Sequence, residues 1–244
     1  MRAVITIAEA VMRDAIRRKV VWIVLVFAAL LSFAIPGLPD YGVGVVSAVF
    51  REVSIALMYV AALVVGLSLA ATRIPAEVDR RTVFTIVARP VSRWQYVLGT
   101  WLGILAVVGV VLLAFTAVAI GVGLAVYQQA MPRLFAASFA VWLETGVITA
   151  GAVTLSTRFG AVTSIVGALT LAFAGHSLST LGRSAEGVAP LAFVPSLEVF
   201  NVINAVAHGS GYGIAYAAAM LGVFVGWSGL LLLGASALFG RRDL

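Results

Sequence analysis

The sequence predicts an all-α polytopic membrane protein with six transmembrane helices, and three observations carry that prediction. Of its 244 residues, 62% are hydrophobic and only 11% charged, so lipid must cover most of the apolar surface. Six stretches, about 20–35, 54–72, 97–126, 134–157, 161–181 and 213–239, meet or approach the roughly 20 apolar residues needed to cross roughly 30 Å of hydrocarbon. The basic residues, finally, alternate between the two sides of those stretches.

With the amino terminus in the cytoplasm, Arg2, Arg13, Arg17, Arg18, Lys19, Arg73, Arg80, Arg81, Arg89, Arg93, Arg158, Arg241 and Arg242 all lie on cytoplasmic segments. Only Arg51, Arg133 and Arg183 lie on the other side. Thirteen against three is a positive-inside bias, and the alternation works for six spans but fails for five or seven. Both termini are then cytoplasmic. The net charge of +6 is a topology device that also touches anionic membrane lipid, not the footprint of a nucleic-acid partner. No cysteine is present and only His176 and His208 offer imidazole, which excludes a disulfide framework and a thiolate or histidine-built metal site. The whole chain, 1–244, is expected to form one domain.

Nineteen residues precede the first span, and they are patterned. Val4, Ile7, Ala8, Val11, Met12, Ala15 and Ile16 share one helical face, while Arg2, Glu9, Arg13 and Arg17 share the other. Glu9 and Arg13 are spaced for an i,i+4 pair. Residues 1–19 are therefore expected as an amphipathic helix in the cytoplasmic interface, feeding into the first span as an anchor or a lever. Patterning of this kind is unlike a cleavable signal peptide.

Between the second and third spans lies the one long polar island, residues 73–96. Pro75 suits the first turn of a helix, where its missing N–H costs nothing. Glu77 and Asp79 follow where the helix dipole favours acids, and Val83, Phe84, Ile86 and Val87 supply one apolar side. Arg89 precedes Pro90, which disfavours further helix. The pattern predicts a helix over 76–88, about three turns long. Ser92 followed by Gln95 is a capping box, with Val91 and Tyr96 placed as a hydrophobic staple, so the third span starts at Ser92. Trp94, Tyr96 and Trp101 are expected at interface depth.

These residues carry a resemblance. The run Glu77…Thr82…Ala88-Arg89-Pro90-Val91-Ser92-Arg93…Leu98-Gly99 resembles the cytoplasmic segment of ABC-2 type permeases, the membrane subunits of ATP-binding-cassette exporters. A second stretch, "FVPSLEVFNVINAVAHG" (193–209), is similar to the segment before the last span in the multicopper-enzyme-maturation-type branch of that family. With six spans and the amphipathic start, the resemblance covers essentially the whole chain. It implies an inner (cytoplasmic) membrane of a bacterium or archaeon, a dimer of permease copies, and two partner ATPase subunits. The first cytoplasmic loop would be the coupling helix, with Glu77, Asp79, Arg80, Arg81, Thr82, Phe84, Arg89, Pro90, Ser92 and Arg93 as the ATPase-coupling residues. Arg80-Arg81 stand where many members have a glycine before the threonine, and Thr100 replaces a lysine that often follows the glycine.

A phosphate-binding loop of the form GxxxxGK[ST] requires a lysine. The only lysine is Lys19, followed by two valines. No Walker A site can be built, so no ATP or magnesium cofactor is expected in this chain; both belong on a partner ATPase.

Residues 182–211 form the largest external segment, yet Val188, Leu191, Phe193, Val194, Leu197, Val199, Phe200, Val202 and Ile203 are too apolar for a solvated loop. Pro195-Ser196 begins a short helix with Ser196 as N-cap and Glu198 in its first turn, ended by Gly209. Lying in or dipping into the outer leaflet, it is either an exit gate, with Pro195, Glu198, Phe200 and Asn201 as candidates, or a re-entrant packing element.

Two intramembrane polar candidates remain. Glu144 lies at mid-depth in the fourth span, where a lone carboxylate costs several kcal/mol. It is read either as a site for a substrate cation or as a structural hydrogen bond near Thr145 and Thr149. His176, in the outer part of the fifth span, reads as a packing residue. Gly99-xxx-Gly103 and Gly222-xxx-Gly226 permit close helix approach, but among 24 glycines such spacings arise by chance. A secondary transporter would need coupling-ion sites in repeated halves, of which Glu144 is the one clear candidate. An enzyme would need a nucleophile–base or metal constellation that these residues do not assemble. A non-transporting assembly factor shares the topology and stays open beside the permease.

Overall fold

The computed structural model describes residues 2–17, 45–79, 92–182 and 195–240, with positions 22, 26, 29 and 30; the side chains of 2, 16, 17, 77–79 and 178–182 stand outside that description. Apart from positions 22, 26, 29 and 30, the expected first span lies outside the described residues, as do the loop residues Arg80, Arg81, Thr82, Phe84, Arg89 and Pro90. Within them the chain folds into seven α-helices and one 3₁₀ turn. These are α1 (Arg2–Arg17), α2 (Val45–Asp79), α3 (Arg93–Tyr127), α4 (Arg133–Ser156), α5 (Ala161–Gly182), the 3₁₀ turn (Leu197–Phe200), α6 (Ile203–Ala207) and α7 (Ile214–Gly240).

Among the described residues four helices are long and apolar enough to cross a membrane: Val45–Ala76, Arg93–Tyr127, Arg133–Ser156 and Ile214–Gly240. Ala161–Ser177 forms a shorter apolar helix. Helix α4 is the hub and packs against α2, α3, α5 and α7. Its sequence explains why: Ala137, Ser138, Ala140, Gly146, Ala150, Gly151 and Ala152 are all buried, and small side chains let neighbouring backbones come close where no hydrophobic drive separates helix from lipid. Trp101 Nε1 donates to the Gly146 carbonyl at 3.0 Å, and Trp142 Nε1 donates to the Leu105 carbonyl at 2.8 Å. Phe224 of α7 stacks on both indoles, at 5.8 and 6.2 Å between ring centroids.

Several expectations are corrected. Helix α2 begins at Val45, nine residues before the expected 54, and runs unbroken through Pro75 to Asp79. Pro75 therefore lies inside a helix rather than opening a new one. A proline removes the N–H that would serve the Ala71 carbonyl, but membrane helices tolerate this where neighbours support the backbone. Here Ile74, just before the proline, is fully buried against the bundle. Glu77 and Asp79 consequently belong to the last turn of α2.

The three aromatics at the start of α3 differ in what they meet. Only Trp94 is exposed; Tyr96 is buried and stacks on Phe239 with centroids 5.8 Å apart, and Trp101 is turned inward to Gly146. Where one helix was predicted from Ser196 to Gly209, the chain makes two pieces separated by Asn201 and Val202. The break has a packing reason. Side chains three apart eclipse in a 3₁₀ turn, which sends both Leu197 and Phe200 into the core, and a fresh start at Ile203 then buries Val206 and Ala207. Gly209, with φ +75, closes this segment.

Helix α1 keeps its predicted faces. Val4, Val11 and Ala15 are buried, Ile7 and Met12 pack on the core, and Glu9 and Arg13 form the outward i,i+4 pair at 3.7 Å. It lies along the start of α3, and its Asp14 pairs with Arg73 of α2 at 3.6 Å.

Candidate functional site

Four elements meet inside the bundle, toward the end away from α1. Tyr59 comes from α2, Glu144 from α4, His176 from α5, and Glu198 and Asn201 from the 3₁₀ turn and its exit. Glu144 is only 4% exposed, and the imidazole of His176 meets it with Nε2 2.7 Å from Oε1. The Tyr59 hydroxyl lies 3.5 Å from the same nitrogen, and the two rings meet edge to face at 6.3 Å. The other ring nitrogen, Nδ1, lies 3.7 Å from Glu198 Oε2, while Asn201 Nδ2 donates to Glu198 Oε1 at 3.2 Å. A carboxylate at this depth is tolerable because a hydrogen-bonded, chargeable partner faces it.

The two intramembrane candidates that the sequence offered separately are thus one pair. Glu144 does not turn to its threonines; Thr149 Oγ1 bonds the Gly146 carbonyl at 3.1 Å instead. Beside the pair is a cavity of about 90 Å³, walled by Ile55, Tyr59, Val141, Glu144, His176, Phe200, Asn201, Val202 and Ile203. The arrangement can hold a proton between an imidazole and two carboxylates. Among the described residues no group of three His, Cys, Asp or Glu is placed to hold a metal.

The 195–207 segment is held by groups far away in sequence. Arg51 Nε donates to the Ala207 carbonyl at 2.9 Å and the Tyr216 hydroxyl to the Val199 carbonyl at 2.7 Å. Nearby, the Tyr212 hydroxyl donates to the Ala136 carbonyl at 2.6 Å, and burial pushes that phenol above its ordinary pKa. A Cβ on Gly175 would sit 2.7 Å from both Leu197 Cγ and the Pro195 oxygen, so the segment rests on bare backbone of α5.

At the α1 end, Ser92 opens α3 as predicted, and its N–H donates to Gln95 Oε1 at 3.2 Å. Arg93 turns to α7: its Nη1 donates to the carbonyls of Phe239 and Gly240 at 2.7 and 2.8 Å, and its guanidinium lies 5.9 Å from the Phe239 ring centroid. A guanidinium on the last carbonyls of a helix satisfies orphan acceptors and complements the dipole. Sequence reasoning missed Tyr59, Gly175 and this clamp. Tyr59 had a signal, as the one aromatic hydroxyl in the apolar run 54–72. Gly175 and the Arg93–α7 contact had none, because each depends on an element distant in sequence.

A bundle of long apolar helices around a buried ionisable cluster is an integral membrane protein of the polytopic helical class. The model of the family described as ABC-2 family transporter protein matches residues 5–244, and the chain belongs to that family. It is thus a membrane component of an ABC transporter and not itself the ATPase. No curated protein matches the chain.

Proposed function

We propose that this chain is the permease subunit of an ABC exporter, with six spans and cytoplasmic termini in the inner membrane. Two copies, or this chain and a close homologue, form the translocation path, and ATP is hydrolysed on a separate subunit. The observation that carries the reading is the family match over residues 5–244. A single lysine at Lys19, which leaves no Walker A site, agrees with an ATPase on another chain.

The ATPase docks on the 73–96 segment, through Glu77, Asp79, Arg80, Arg81, Thr82 and Phe84 with the turn at Arg89 and Pro90. Force entering there reaches two helices at once. Ser92 and Arg93 begin α3, and Arg93 grips the carbonyls at the end of α7. At the opposite end the 195–207 segment covers the cavity beside Glu144, where an exit would be gated.

Affinity purification from native membranes in mild detergent, with mass spectrometry of the bound proteins, tests this reading. A stoichiometric Walker A subunit is the expected result. An intact dimer without one would turn the assignment to an assembly factor or a secondary transporter. Charge reversal at Arg80 and Arg81 is expected to weaken ATPase association and leave membrane insertion unchanged; normal association would make the island a simple interfacial closure.

A further inference from the structure

We propose that His176 is a proton-operated latch, whose doubly protonated ring bridges Glu144 in the bundle and Glu198 on the 195–207 segment and so holds that segment down. The geometry points to this role because the two ring nitrogens face two different carboxylates, Nε2 at 2.7 Å and Nδ1 at 3.7 Å. A neutral imidazole has one N–H, which serves Glu144 at hydrogen-bond distance; only imidazolium also carries a proton on Nδ1 and the charge that pairs with Glu198. Glu144 is buried and close, whereas Glu198 is 45% exposed and at the longer distance. Loss of the second proton therefore releases the Glu198 side first.

The latch sits where its release is felt. Gly175, its chain neighbour, is the point on which Leu197 and the Pro195 carbonyl rest. The segment's other ties, from Arg51 to Ala207 and from Tyr216 to Val199, use a guanidinium and a hydroxyl donating to carbonyls. Histidine is the side chain whose ordinary charge change falls between pH 5 and 8, and of these three ties among the described residues only the one at His176 uses an imidazole. Among the described residues the titratable groups facing His176 are Tyr59 from α2, Glu144 from α4 and Glu198 from the 3₁₀ turn; α6 contributes none, and α5 carries no other. The sign follows. On the acid side the segment is latched, and as pH rises and the ring becomes neutral, the segment loosens and the cavity beside Glu144 opens. The contact concerns docking of the segment and stands whichever cargo the permease carries.

The chain has no cysteine, so Val202→Cys, at a position 4% exposed on the buried side of the segment, introduces one thiol that reacts only when the segment lifts. Labelling of the full-length V202C protein by N-ethylmaleimide in detergent would be timed at about pH 5.5 and about pH 8.5. The same reporter would be paired with E198Q and with H176Q, and each rate divided by that of V202C alone, which cancels ionisation of the thiol. At the lower pH the E198Q protein is expected to label about five-fold faster than V202C alone, the size of effect a part-exposed ion pair gives. At the higher pH the two are expected to label alike, and H176Q to track E198Q at both. Glu198 lies at the surface, so its variant tests the idea even if H176Q fails to fold. A ratio near one at both pH values, or an equal excess at both, overturns the latch.

Discussion

Two glycine pairs with the same spacing meet opposite fates. On α3, a Cβ at Gly99 would lie 2.9 Å from both Ile7 Cβ and the Val4 oxygen, and one at Gly103 would lie 2.6 Å from Val11 Cβ and 2.9 Å from the Ala8 oxygen. On α7, nothing among the described residues comes within 4 Å of such an atom at Gly222 or Gly226. The first pair is the bed on which the amphipathic helix α1 lies, backbone against backbone. The second lies on a helix whose apolar window is 22% buried, against 78% for α4. Spacing permits close approach; a partner with a matching face decides whether it happens. Helix α1 has that face in Val4, Ile7 and Val11, and what it gains is a fixed position against α3 rather than free drift along the membrane surface.

The sharpest way to break this comparison is alanine at Gly99 and Gly103. Backbone atoms block both sites and cannot swing aside, so each change should cost about 1–3 kcal/mol and lift α1 from α3. The unfolding midpoint in detergent and faster amide exchange over residues 2–15 would report it, and unchanged exchange there would mean that α1 does not need the glycines. Next in size is Arg93→Gln, which removes the charged grip on Phe239 and Gly240. A loss of about 1 kcal/mol is expected, with fraying of the last turn of α7 visible by amide exchange. Gly146→Ala comes third. Its close neighbours are Phe224 Cε2 at 2.5 Å and Leu105 Cδ1 at 3.0 Å, side-chain rather than backbone atoms, so about 1 kcal/mol should be lost as the stacked Phe224 ring shifts. Smallest of all is alanine at Gly222 and Gly226, expected to be neutral or to gain a few tenths of a kcal/mol through helix propensity. Destabilisation there would reveal a partner on the α7 face, and loss of dimer on size exclusion would name it as a second copy.

Much of the fold was legible because its signals are local. The predicted stretches 97–126 and 161–181 fall within helices α3 and α5, and 134–157 and 213–239 match α4 and α7 to within one residue at each end, since about 20 apolar residues in a row carry their own explanation. Ser92 and Gln95 fixed the start of α3 to the residue, because a capping box needs only its own four positions. Pro75 misled for the same local reason. Its effect on a helix depends on what surrounds it, and here, with Ile74 buried in the bundle, the helix continues past the proline to Asp79. The candidate site was half legible. Glu144 and His176 were each conspicuous as polar residues in apolar spans, yet nothing in either span says that they touch.

By itself, then, the sequence determined the class of protein, most of the membrane helices, the amphipathic face of α1 and the lack of a nucleotide-binding loop. All follow from composition, periodicity and short motifs. Tertiary structure decided which glycines pack, that Arg93 caps α7 across 146 residues, and that His176 stands between Glu144, 32 residues away, and Glu198. Those contacts join side chains whose helices meet only in the bundle, so no window along the chain contains both partners.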